Sequence, residues 1–323
     1  MNLLVTGGAG FIGSNFIKYM LANSNHNIIN VDKLTYAGNL DNLKDIADHK
    51  NYKFIKGDIC NQELINQVVD QSIDMIINFA AESHVDRSLD NPNLFFKTNV
   101  LGTQILLDAA VENDIKKFIQ ISTDEVYGPG KKGEFHTEED TLAPTNPYAA
   151  SKASADLLVL SYQHTYGLPI NITRSTNNYG PYQYPEKIIP LFITNLLENK
   201  KVPLYGDGRH IRDWLYVKDH CRAIELIINK GKTGEIYNIS SNNRFKNIEL
   251  TKKILTNLNK SEEYIEYVKD RKGHDRAYFI DASKIKEQLN WQPEYDFFKG
   301  LKETIHWYKS NKKWWQKIKN LNV

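Results

Sequence analysis

A glycine-rich turn close to the amino terminus constrains the fold of this chain more than any other feature. An apolar run at residues 3–6 leads directly into residues 7–13, which read Gly-Gly-Ala-Gly-Phe-Ile-Gly. These glycines satisfy Gly-x-Gly-x-x-Gly from Gly8 and Gly-x-x-Gly-x-x-Gly from Gly7. A Cβ in so tight a turn would block an approaching pyrophosphate, and the helix that follows offers free N–H groups and a positive dipole end. A strand, this turn and a helix together predict a dinucleotide-binding βαβ unit.

The second apolar run indicates which dinucleotide binds. It spans residues 28–31 and ends in Asp32, nineteen residues beyond Gly13. A carboxylate at this point accepts hydrogen bonds from both ribose hydroxyls and repels a 2′-phosphate. We therefore expect NAD rather than NADP as the cofactor. Asp58, at the end of the next predicted strand, is a further candidate contact to the adenine.

Apolar runs and helical patterns alternate through the first half of the chain. Strands are predicted at residues 3–6, 28–31, 52–55, 75–79, 117–122 and 168–173. Helices are predicted at residues 11–21, 62–71, 98–113 and 149–166. Such alternation is typical of right-handed βαβ crossovers. The predicted fold class is therefore α/β, with a Rossmann-type doubly wound parallel sheet.

The second half of the chain differs from the first in composition and in its pattern of predicted elements. Residues 175–190 are rich in Asn, Tyr, Gly and Pro, which favours loops. Further helices are expected at 188–199, 247–258 and 282–308, and strands at 214–217 and 236–239 with a helix between them. We expect an NAD-binding domain at 1–176 with a return segment at 213–241. Residues 177–212 and 242–323 should then form a smaller mixed α/β lobe that binds the substrate.

The composition excludes several classes of function. The 41 basic and 39 acidic residues give a net charge of +2, so the chain has no general field that would attract nucleic acid. Cys60 and Cys221 are expected to be reduced thiols, and no metal site is predicted. We see no secretory signal and no apolar run near the ~18 residues of a membrane span, so a cytoplasmic location is expected. The aromatic, lysine-rich tail around Trp314 is interpreted as an amphipathic terminal helix.

Tyr148 and Lys152 are candidate catalytic residues in a predicted helix. Their i,i+4 spacing places both side chains on one helix face. A phenol is a poor base at neutral pH, but a nearby ammonium favours the phenolate and lowers the phenol pKa. Tyr148 could then remove a proton from a substrate hydroxyl while hydride leaves the same carbon. The spacing alone is common, and an ordinary exposed helix face is the alternative.

An acidic pair follows the predicted strand at residues 117–122. Thr123, Asp124 and Glu125 would lie at the carboxyl edge of the sheet, where ligands bind in folds of this kind. Thr123 could hydrogen-bond the reacting oxygen. Two adjacent carboxyl groups in a cleft, one protonated and one ionised, supply an acid and a base together. A simple turn or capping pair is the alternative.

Taken together, these segments resemble the extended short-chain dehydrogenase/reductase family, and within it the NAD-dependent nucleotide-sugar 4,6-dehydratases. Further segments that carry the resemblance are residues 32–40, 80–88, 177–182, 185–187, 212–214 and 271–276. Lys272 is a departure, because proline is usual there. The similarity spans nearly the whole chain.

The resemblance implies the substrate and the chemistry. The substrate would be dTDP-glucose, and the product dTDP-4-dehydro-6-deoxy-glucose plus water, as in deoxysugar (for example dTDP-rhamnose) biosynthesis. Tyr148 would take the proton from O4 as hydride leaves C4 for NAD. Glu125 would remove the C5 proton, and Asp124 would protonate the departing C6 hydroxyl. Hydride then returns to C6, so NAD stays tightly bound and is regenerated in each cycle.

The resemblance also implies a site and a partner. The implied catalytic residues are Thr123, Asp124, Glu125, Tyr148 and Lys152. The implied cofactor contacts are Gly7, Gly10, Phe11, Ile12, Gly13, Asp32, Lys33, Leu34, Thr35, Asp58, Ile59, Ala80, Ala81, Ser83, Thr98, Tyr148, Lys152 and Asn178. The implied substrate contacts are Ser83, Thr123, Asn177, Lys187, Pro203, Leu204, Tyr205, Arg212, Asn247, Arg271 and His274. The arginines would bind the diphosphate through their guanidinium forks. The helices at 98–113 and 149–166 would form a four-helix homodimer interface.

Related activities stay open at the level of the sequence. A nucleotide-sugar 4-epimerase would share the glycines, Tyr148 and Lys152, but typically lacks the acidic pair. A UDP-glucuronate decarboxylase keeps a glutamate at the position of Glu125 without an acid at that of Asp124. A catalytically silent NAD-binding regulator would be expected to lose some of these residues. The acidic pair therefore favours dehydration. The choice between thymine and uracil concerns one methyl group, worth only ~1–3 kcal/mol, and the residues alone leave it open.

Overall fold

A seven-stranded sheet is the centre of the molecule. The computed structural model describes residues 1–70, 72–131 and 133–320. The strands of this sheet are β1 (Asn2–Thr6), β2 (Asn27–Asp32), β3 (Tyr52–Lys56), β4 (Met75–Asn78), β5 (Lys117–Thr123), β6 (Ile170–Ser175) and, from further along the chain, β10 (Ile236–Ile239). Their order is β10-β6-β5-β4-β1-β2-β3, and each neighbouring pair is parallel. The chain reverses its direction of travel across the sheet between β1 and β4, which is where ligands bind in doubly wound sheets.

Strands outside the large sheet form two small sheets, and we call the part of the molecule that contains them the second region. Their strands are β7 (Asn177–Tyr179), β8 (Val202–Tyr205), β9 (Ile211–Tyr216), β11 (Arg244–Lys246) and β12 (Ile265–Val268). One sheet has the order β11-β9-β7, with β9 antiparallel to β11 and parallel to β7. The other consists of β8 and β12, which are parallel. Tyr179, Trp214 and Tyr216 bring the first of these sheets into an apolar cluster separate from those of the large sheet.

Helices cover both faces of the large sheet and enclose the second region. They are α1 (Phe11–Asn23), α2 (Gln62–Val69), α3 (Val85–Asp90), α4 (Pro92–Phe96), α5 (Gly102–Glu112), α6 (Pro147–Tyr166), α7 (Ile188–Leu197), α8 (Val217–Lys230), α9 (Asn247–Asn257), α10 (Ser283–Leu289), α11 (Phe297–Ser310) and α12 (Lys312–Asn320). Between α4 and α5, residues Lys97–Leu101 form a π-helical turn. Short 3₁₀ turns occur at Leu40–Ile46, Asp124–Tyr127 and Glu262–Tyr264.

The core forms because the central strands are apolar on both sides. Leu3 and Val5 point into the cluster that contains α1 and α8, whereas Leu4 points into the cluster that contains α2 and α5. Successive side chains of a strand alternate between the two faces, and a parallel sheet with helices on both faces buries every position. This burial explains the unbroken apolar runs in the sequence.

The α/β fold class and the Rossmann-type sheet are confirmed. The helix expected at 62–71 ends at Val69, and Gln71 lies outside the described residues. The helix expected at 98–113 starts with the π-helical turn. The helical segment expected at 282–308 is two helices separated by residues 290–296, and Asn290, with a φ of 52°, ends the first of them. The strand expected at 214–217 is β9, which lies in the three-stranded sheet.

The division into two lobes at residues 176, 213 and 242 remains a proposal. What the structure shows is a chain that leaves the large sheet after β6 and returns to it at β10, which pairs with β6. Between these strands, α8 packs mainly on α1. Segments from both halves of the chain therefore alternate between the two regions, without a linker that would separate them.

Other expectations from the sequence are also met. Cys60 and Cys221 are free thiols. The tail is an amphipathic helix: Trp315 is buried in the apolar cluster of the second region, and Trp314 packs against that cluster. Across residues 1–70, 72–131 and 133–320, the structure contains no helix with the length and apolar character needed to cross a bilayer.

Candidate active site

An elongated cavity runs along the carboxyl ends of the central strands. Its walls include Gly7 from the turn after β1, Asp32 from β2 and Ala80 from the loop after β4. On the side of the second region, Tyr184 and Lys187 complete the wall. The cavity therefore begins at the glycine turn and reaches the segment that links β7 to α7. A dinucleotide needs an extended cavity of this kind at the switch point of the sheet.

The glycine turn is packed so tightly that a side chain at Gly7 or Gly13 would collide with neighbouring backbone. Gly7 has a φ of 69°, and a Cβ there would lie 2.6 Å from the backbone nitrogen of Ala80. A Cβ on Gly13 would lie 2.5 Å from the carbonyl oxygen of Gly7. Helix α1 begins after Gly10, which provides no side-chain cap, so the first N–H groups of the helix face the cavity wall uncapped. These features fit a pyrophosphate at the helix N-terminus.

Asp32 is held rigidly at the end of β2. Its Oδ2 accepts from the backbone N–H of Ala9 at 2.9 Å, and its Oδ1 accepts from that of Leu34 at 2.8 Å. Burial raises the pKa of this carboxyl, and the two backbone donors oppose the rise. Each carboxylate oxygen keeps a further lone pair for a ribose hydroxyl. The carboxylate therefore fits the ribose of NAD, and it would repel a phosphate attached to that ribose.

Helix α6 brings Tyr148 and Lys152 to the cavity. The helix starts at Pro147, and the Asn146 side chain caps it by accepting from the N–H of Ala149 at 2.9 Å. Both Tyr148 and Lys152 line the cavity, as their i,i+4 spacing predicts. The Lys152 ammonium donates to the carbonyl oxygen of Ile121 at 2.6 Å. Burial lowers the pKa of Lys152 to about 8, and the buried carboxylate of Asp156, one helical turn further on, opposes this shift.

The structure departs from the sequence-based expectation on the pKa of Tyr148. Burial and the nearby carboxylate of Glu125 raise this pKa, although a hydrogen bond with Thr123 opposes the rise. The lysine was expected to lower it. The protein alone therefore keeps Tyr148 as a neutral phenol. Positive charge on an oxidised nicotinamide beside the ring would favour the phenolate, as a nearby cation does in general.

The acidic pair follows directly from β5, and its two members differ in environment. Asp124 is 4% exposed, and burial together with the charge of Glu125 raises its pKa to about 8. Glu125 is partly exposed, and its Oε2 accepts from Asn146 Nδ2 at 3.3 Å. The Tyr278 hydroxyl lies 3.3 Å from the same oxygen, and its shorter hydrogen bond goes to Asp275 Oδ2 at 2.7 Å. At neutral pH, Asp124 is therefore largely protonated and can donate a proton. This asymmetry is the one expected of a general acid beside a general base.

A cluster of positive and aromatic groups extends the site beyond the acidic pair. Arg212 is buried on β9, where its Nη2 donates to the carbonyl oxygen of Asp275 at 3.0 Å and its guanidinium lies 4.6 Å from the centroid of the Tyr278 ring. Arg271 approaches Asp86 at 3.5 Å, and its Nε is buried without a partner among the described residues. A guanidinium nitrogen left without a partner suits a phosphate oxygen.

A second group of predicted substrate contacts lies around His274. The ring of His274 stacks on that of His210 at 3.7 Å, and both rings contact the Asp270 carboxylate, at 2.6 and 3.3 Å. Histidine and aspartate are common metal ligands, so these three residues could in principle hold an ion. However, the two imidazole rings are stacked, and the lone pairs on their nitrogen atoms therefore point in parallel directions and do not meet at one ion. This cluster is therefore best described as a hydrogen-bonded support. Tyr205 of β8 meets the edge of the His274 ring at 6.0 Å.

Most of the predicted cofactor contacts line the cavity. Those that do are Gly7, Gly10, Phe11, Ile12, Gly13, Asp32, Lys33, Thr35, Asp58, Ile59, Ala80, Ala81, Ser83, Thr98, Tyr148 and Lys152. Leu34 and Asn178 do not. Leu34 donates its N–H to Asp32, and the Asn178 carbonyl oxygen accepts from Nε2 of Gln183, a wall residue, at 2.9 Å. Both lie one contact away from the wall, and the roles of all these residues remain predictions.

The predicted substrate contacts fall into two groups. Ser83 and Lys187 line the cavity itself, and the Lys187 ammonium donates to the carbonyl oxygen of Ser83 at 2.9 Å. Asn247 is buried with its Oδ1 unpartnered among the described residues. Those outside the cavity wall are Thr123, Asn177, Pro203, Leu204, Tyr205, Arg212, Asn247, Arg271 and His274.

Sequence reasoning missed several residues that shape the site. Asn99 lies in the π-helical turn, where its amide bonds both the N–H and the carbonyl of Glu82 and also Ser151 of α6. Tyr278 bonds Glu125, and Glu186 lines the cavity. A π-helical turn often marks a functional site, but no sequence pattern announces it. Glu186 lay inside a segment that carried the family resemblance, so that signal was present.

Comparison with known proteins identifies the family. The sequence model of the GDP-mannose 4,6 dehydratase family matches residues 4–304. The chain belongs to this family. The family resemblance inferred from the motifs is thereby confirmed.

Individual members of the GDP-mannose 4,6 dehydratase family are similar over almost their full lengths. The low-salt glycan biosynthesis protein Agl12 of Haloferax volcanii is 53% identical over 95% of this chain and 98% of its own. A dTDP-glucose 4,6-dehydratase of Streptomyces niveus is 48% identical over 99% of this chain and 96% of its own. The crystal structure of DesIV, a dTDP-glucose 4,6-dehydratase of Streptomyces venezuelae with NAD and TYD bound, has a TM-score of 0.96. It is 46% identical and covers 98% of this chain and 100% of that one.

Proposed function

We propose that this chain is an NAD-dependent dTDP-glucose 4,6-dehydratase, a hydro-lyase. The observation that carries the proposal is the acidic pair, a buried, protonated Asp124 next to a hydrogen-bonded Glu125. Both carboxyl groups interact with Tyr148, which lies in the wall of the dinucleotide cavity, although they do not line that wall themselves. Removal of water from a sugar needs an acid and a base together, and epimerisation does not. The dTDP-glucose 4,6-dehydratases among the relatives support the same activity.

The first half of the reaction falls to Tyr148, Thr123 and Lys152. Tyr148 removes the proton of the sugar O4 as the C4–H bond breaks, and Thr123 hydrogen-bonds the same oxygen. Lys152 holds positive charge near Tyr148 and so stabilises the phenolate once the proton has moved. Bound NAD supplies the hydride acceptor for C4 and later the hydride donor for C6. The result is a ketone at C4, which acidifies the hydrogen at C5.

The acidic pair performs the elimination. Glu125 accepts the C5 proton, and Asp124 gives its proton to the C6 hydroxyl, which departs as water when the C6–O bond breaks. The C5–C6 double bond then takes hydride at C6 and a proton at C5. Atoms balance as dTDP-glucose giving dTDP-4-dehydro-6-deoxy-glucose plus water. The protein ends the cycle as it began: Glu125 returns its proton to C5, Tyr148 releases the O4 proton to solvent, and Asp124 takes up one proton from solvent in place of the one it gave.

The nucleotide part of the substrate has matching partners in the second region. We assign the diphosphate to Arg212 and Arg271, whose planar forks suit phosphate oxygens. Lys187, half-buried in the cavity wall and bonded to the carbonyl oxygen of Ser83, would lie between the cofactor and the sugar. The thymine preference rests on the relatives, because a single methyl group gives little discrimination.

The test is incubation of pure protein with dTDP-glucose, UDP-glucose and UDP-glucuronate, followed by mass and ketone analysis of the products. We expect a 4-keto-6-deoxy product from dTDP-glucose, lighter by one water, without added reductant. A change of configuration at C4 with no loss of mass would identify an epimerase. Release of carbon dioxide from UDP-glucuronate would identify a decarboxylase. Either result would contradict the proposal.

We further propose that the protein acts as a homodimer in the cytoplasm. Support for the dimer comes from apolar side chains that stay exposed on the two expected interface helices. Leu101, in the π-helical turn before α5, is 43% exposed, and Leu157 and Tyr166 of α6 are 58% and 60% exposed. Exposed apolar side chains grouped on neighbouring helices are typical of an interaction surface.

A further inference from the structure

Three loops meet in one cluster beside the cofactor cavity. Tyr36 comes from the loop after β2, Arg87 from α3 after β4, and Glu186 from the segment before α7. The Tyr36 hydroxyl donates to Glu186 Oε1 at 3.0 Å. The Arg87 guanidinium carbon lies 3.6 Å from the centroid of the Tyr36 ring, and its Nη2 lies 3.8 Å from Glu186 Oε2. We call these three residues the Tyr36 clasp.

Neighbouring contacts support the clasp from both sides. The ring of Tyr184 meets that of Tyr36 edge-on at 5.3 Å. Lys187, next to Glu186 in the chain, donates to the carbonyl oxygen of Ser83 and so ties the same two loops together. The Glu186 side chain is 16% exposed, so its bonds are shielded from water. Hydrogen bonds to a charged group in such surroundings are among the stronger ones in proteins.

The clasp lies between two cavities. Thr35 and Glu82 line both the cofactor cavity and a second cavity, which opens to the surface beside α3 and α4. Tyr36 and Arg87 line only the second one, whereas Glu186 lines only the first. The contact of Tyr36 and Arg87 with Glu186 is therefore part of the partition between the cofactor and the outside.

From this placement we infer that Tyr36 and Arg87 are positioning residues that retain NAD through the catalytic cycle by holding Glu186 across the partition. The inference rests on the proposed function in one respect. A reaction that returns its hydride to the substrate needs no exchange of cofactor, so a cavity that retains NAD does not slow turnover. The Tyr36 clasp also connects the large sheet to the second region, because the segment that carries Glu186 leads into α7.

A matched pair of substitutions tests the inference. Tyr36→Phe removes the hydroxyl and keeps the ring. Tyr19→Phe is the control, because the Tyr19 hydroxyl donates to Glu225 Oε2 at 2.6 Å between α1 and α8, outside the cavity wall. Each protein is loaded with radiolabelled NAD and chased with excess unlabelled NAD, without substrate. One lost hydrogen bond to a charged group shifts an equilibrium by about tenfold or more. We expect NAD release to be about tenfold faster in Tyr36→Phe and unchanged in Tyr19→Phe.

A second variant and a separate assay keep the outcome clear. Arg87→Gln should speed release in the same direction, and Arg87→Lys should restore part of the retention, because a lysine keeps the cation over the ring. Release from Tyr36→Phe at the parental rate would overturn the inference, as would equal acceleration in Tyr19→Phe. Product formation from dTDP-glucose is measured independently. If the parent binds NAD but makes no 4-keto-6-deoxy product, the proposed function fails while the release comparison still decides the role of the clasp.

Discussion

At the scale of single residues, the site separates two carboxyl groups that are adjacent in the sequence. Asp124 is buried beside β5, and Glu125 is partly exposed, with Asn146 and Tyr278 close to its carboxylate. The sequence predicted that the two would differ in protonation, and burial raises the pKa of Asp124. It did not predict which groups would surround them, because Tyr278 and Asn146 come from distant parts of the chain. The raised pKa of Tyr148 could not be predicted from the sequence either, because it depends on the burial of the ring and on its distance to Glu125.

Asp124→Asn should block water loss and spare oxidation at C4. General acid catalysis contributes about 10²- to 10⁴-fold to rates, so dehydration should slow by at least about 100-fold. Reduced cofactor should then accumulate, which absorbance at 340 nm detects in a single turnover. Asp114→Asn, at an exposed position in a turn, serves as the control and should behave as the parent. Unchanged dehydration in Asp124→Asn would refute the acid assignment.

The pH dependence follows from the pKa of Asp124, which burial raises from 3.8 to about 8. An acid must be protonated to donate, so dehydration should fall as the pH rises through about 8. Lys152 loses its proton in the same range, which weakens C4 oxidation as well. Because the folded pKa of Asp124 exceeds the unfolded value, this group also lowers stability as pH rises from about 4 to about 8. Rapid-quench product profiles from pH 6 to 9 and urea unfolding at the same pH values check both trends.

Asp32→Ala should weaken NAD binding and relax the discrimination against NADP. The change removes hydrogen bonds to a charged group, each worth about 1.5–3 kcal/mol, so we expect a loss of roughly 10- to 100-fold in NAD affinity. NADP should gain relative to NAD because the repulsion of its 2′-phosphate disappears. Titration of both cofactors by fluorescence gives the ratio. A ratio equal to that of the parent would contradict the ribose assignment.

At the scale of elements, the long strands and helices followed from periodicity, and the short ones did not. The apolar runs predicted each strand of the large sheet. Strands β4, β5 and β6 are buried on both faces, whereas the edge strand β3 is only half-buried. Strands β7 and β11 have only three residues each, which is too short for an alternating pattern to stand out. The π-helical turn at Lys97–Leu101 was equally hidden, because its composition is that of an ordinary helix.

Asn99→Ala tests what the π-helical turn does. Its side chain joins the Glu82 loop to Ser151 of α6, in a site that excludes water. Leaving buried partners unsatisfied costs about 1–3 kcal/mol each, so a loss of roughly 2–4 kcal/mol in the free energy of unfolding is expected. The matched control is Asn113→Ala, where a partly buried amide at the end of α5 donates to the carbonyl oxygen of Ala109. Denaturant unfolding should show a difference of at least about 1 kcal/mol between the two variants, and equal losses would argue against a bridging role.

At the scale of the whole molecule, helix α6 places Tyr148 and Lys152 in the cavity wall on one face and the exposed Leu157 on the opposite face. If this second face is the dimer interface, association braces the helix that holds Tyr148 and Lys152. The sequence predicted the interface only through family resemblance, because an exposed leucine and a buried one look alike in a sequence.

Leu157→Lys should shift the protein towards the monomer. Leu157 is 58% exposed in the single chain, so the substitution costs little there, but a charge without a partner in an apolar interface is expensive. Multi-angle light scattering should give a dimer mass for the parent and a monomer mass for the variant. Lys302→Leu, on the exposed surface of α11, is the control for a change of the same size elsewhere. A monomer mass for the parent protein would contradict the proposed homodimer.

The return of the chain to β10 has a consequence for how the protein is made. During synthesis, β6 emerges at residue 175, but its neighbour on the outer edge, β10, follows only at residues 236–239. While about sixty further residues are translated, the outer edge of β6 has unpaired amide and carbonyl groups that can pair with a strand from another chain. A ribosome-bound chain halted in this interval should therefore recruit chaperones or aggregate, and one extended past residue 239 should not.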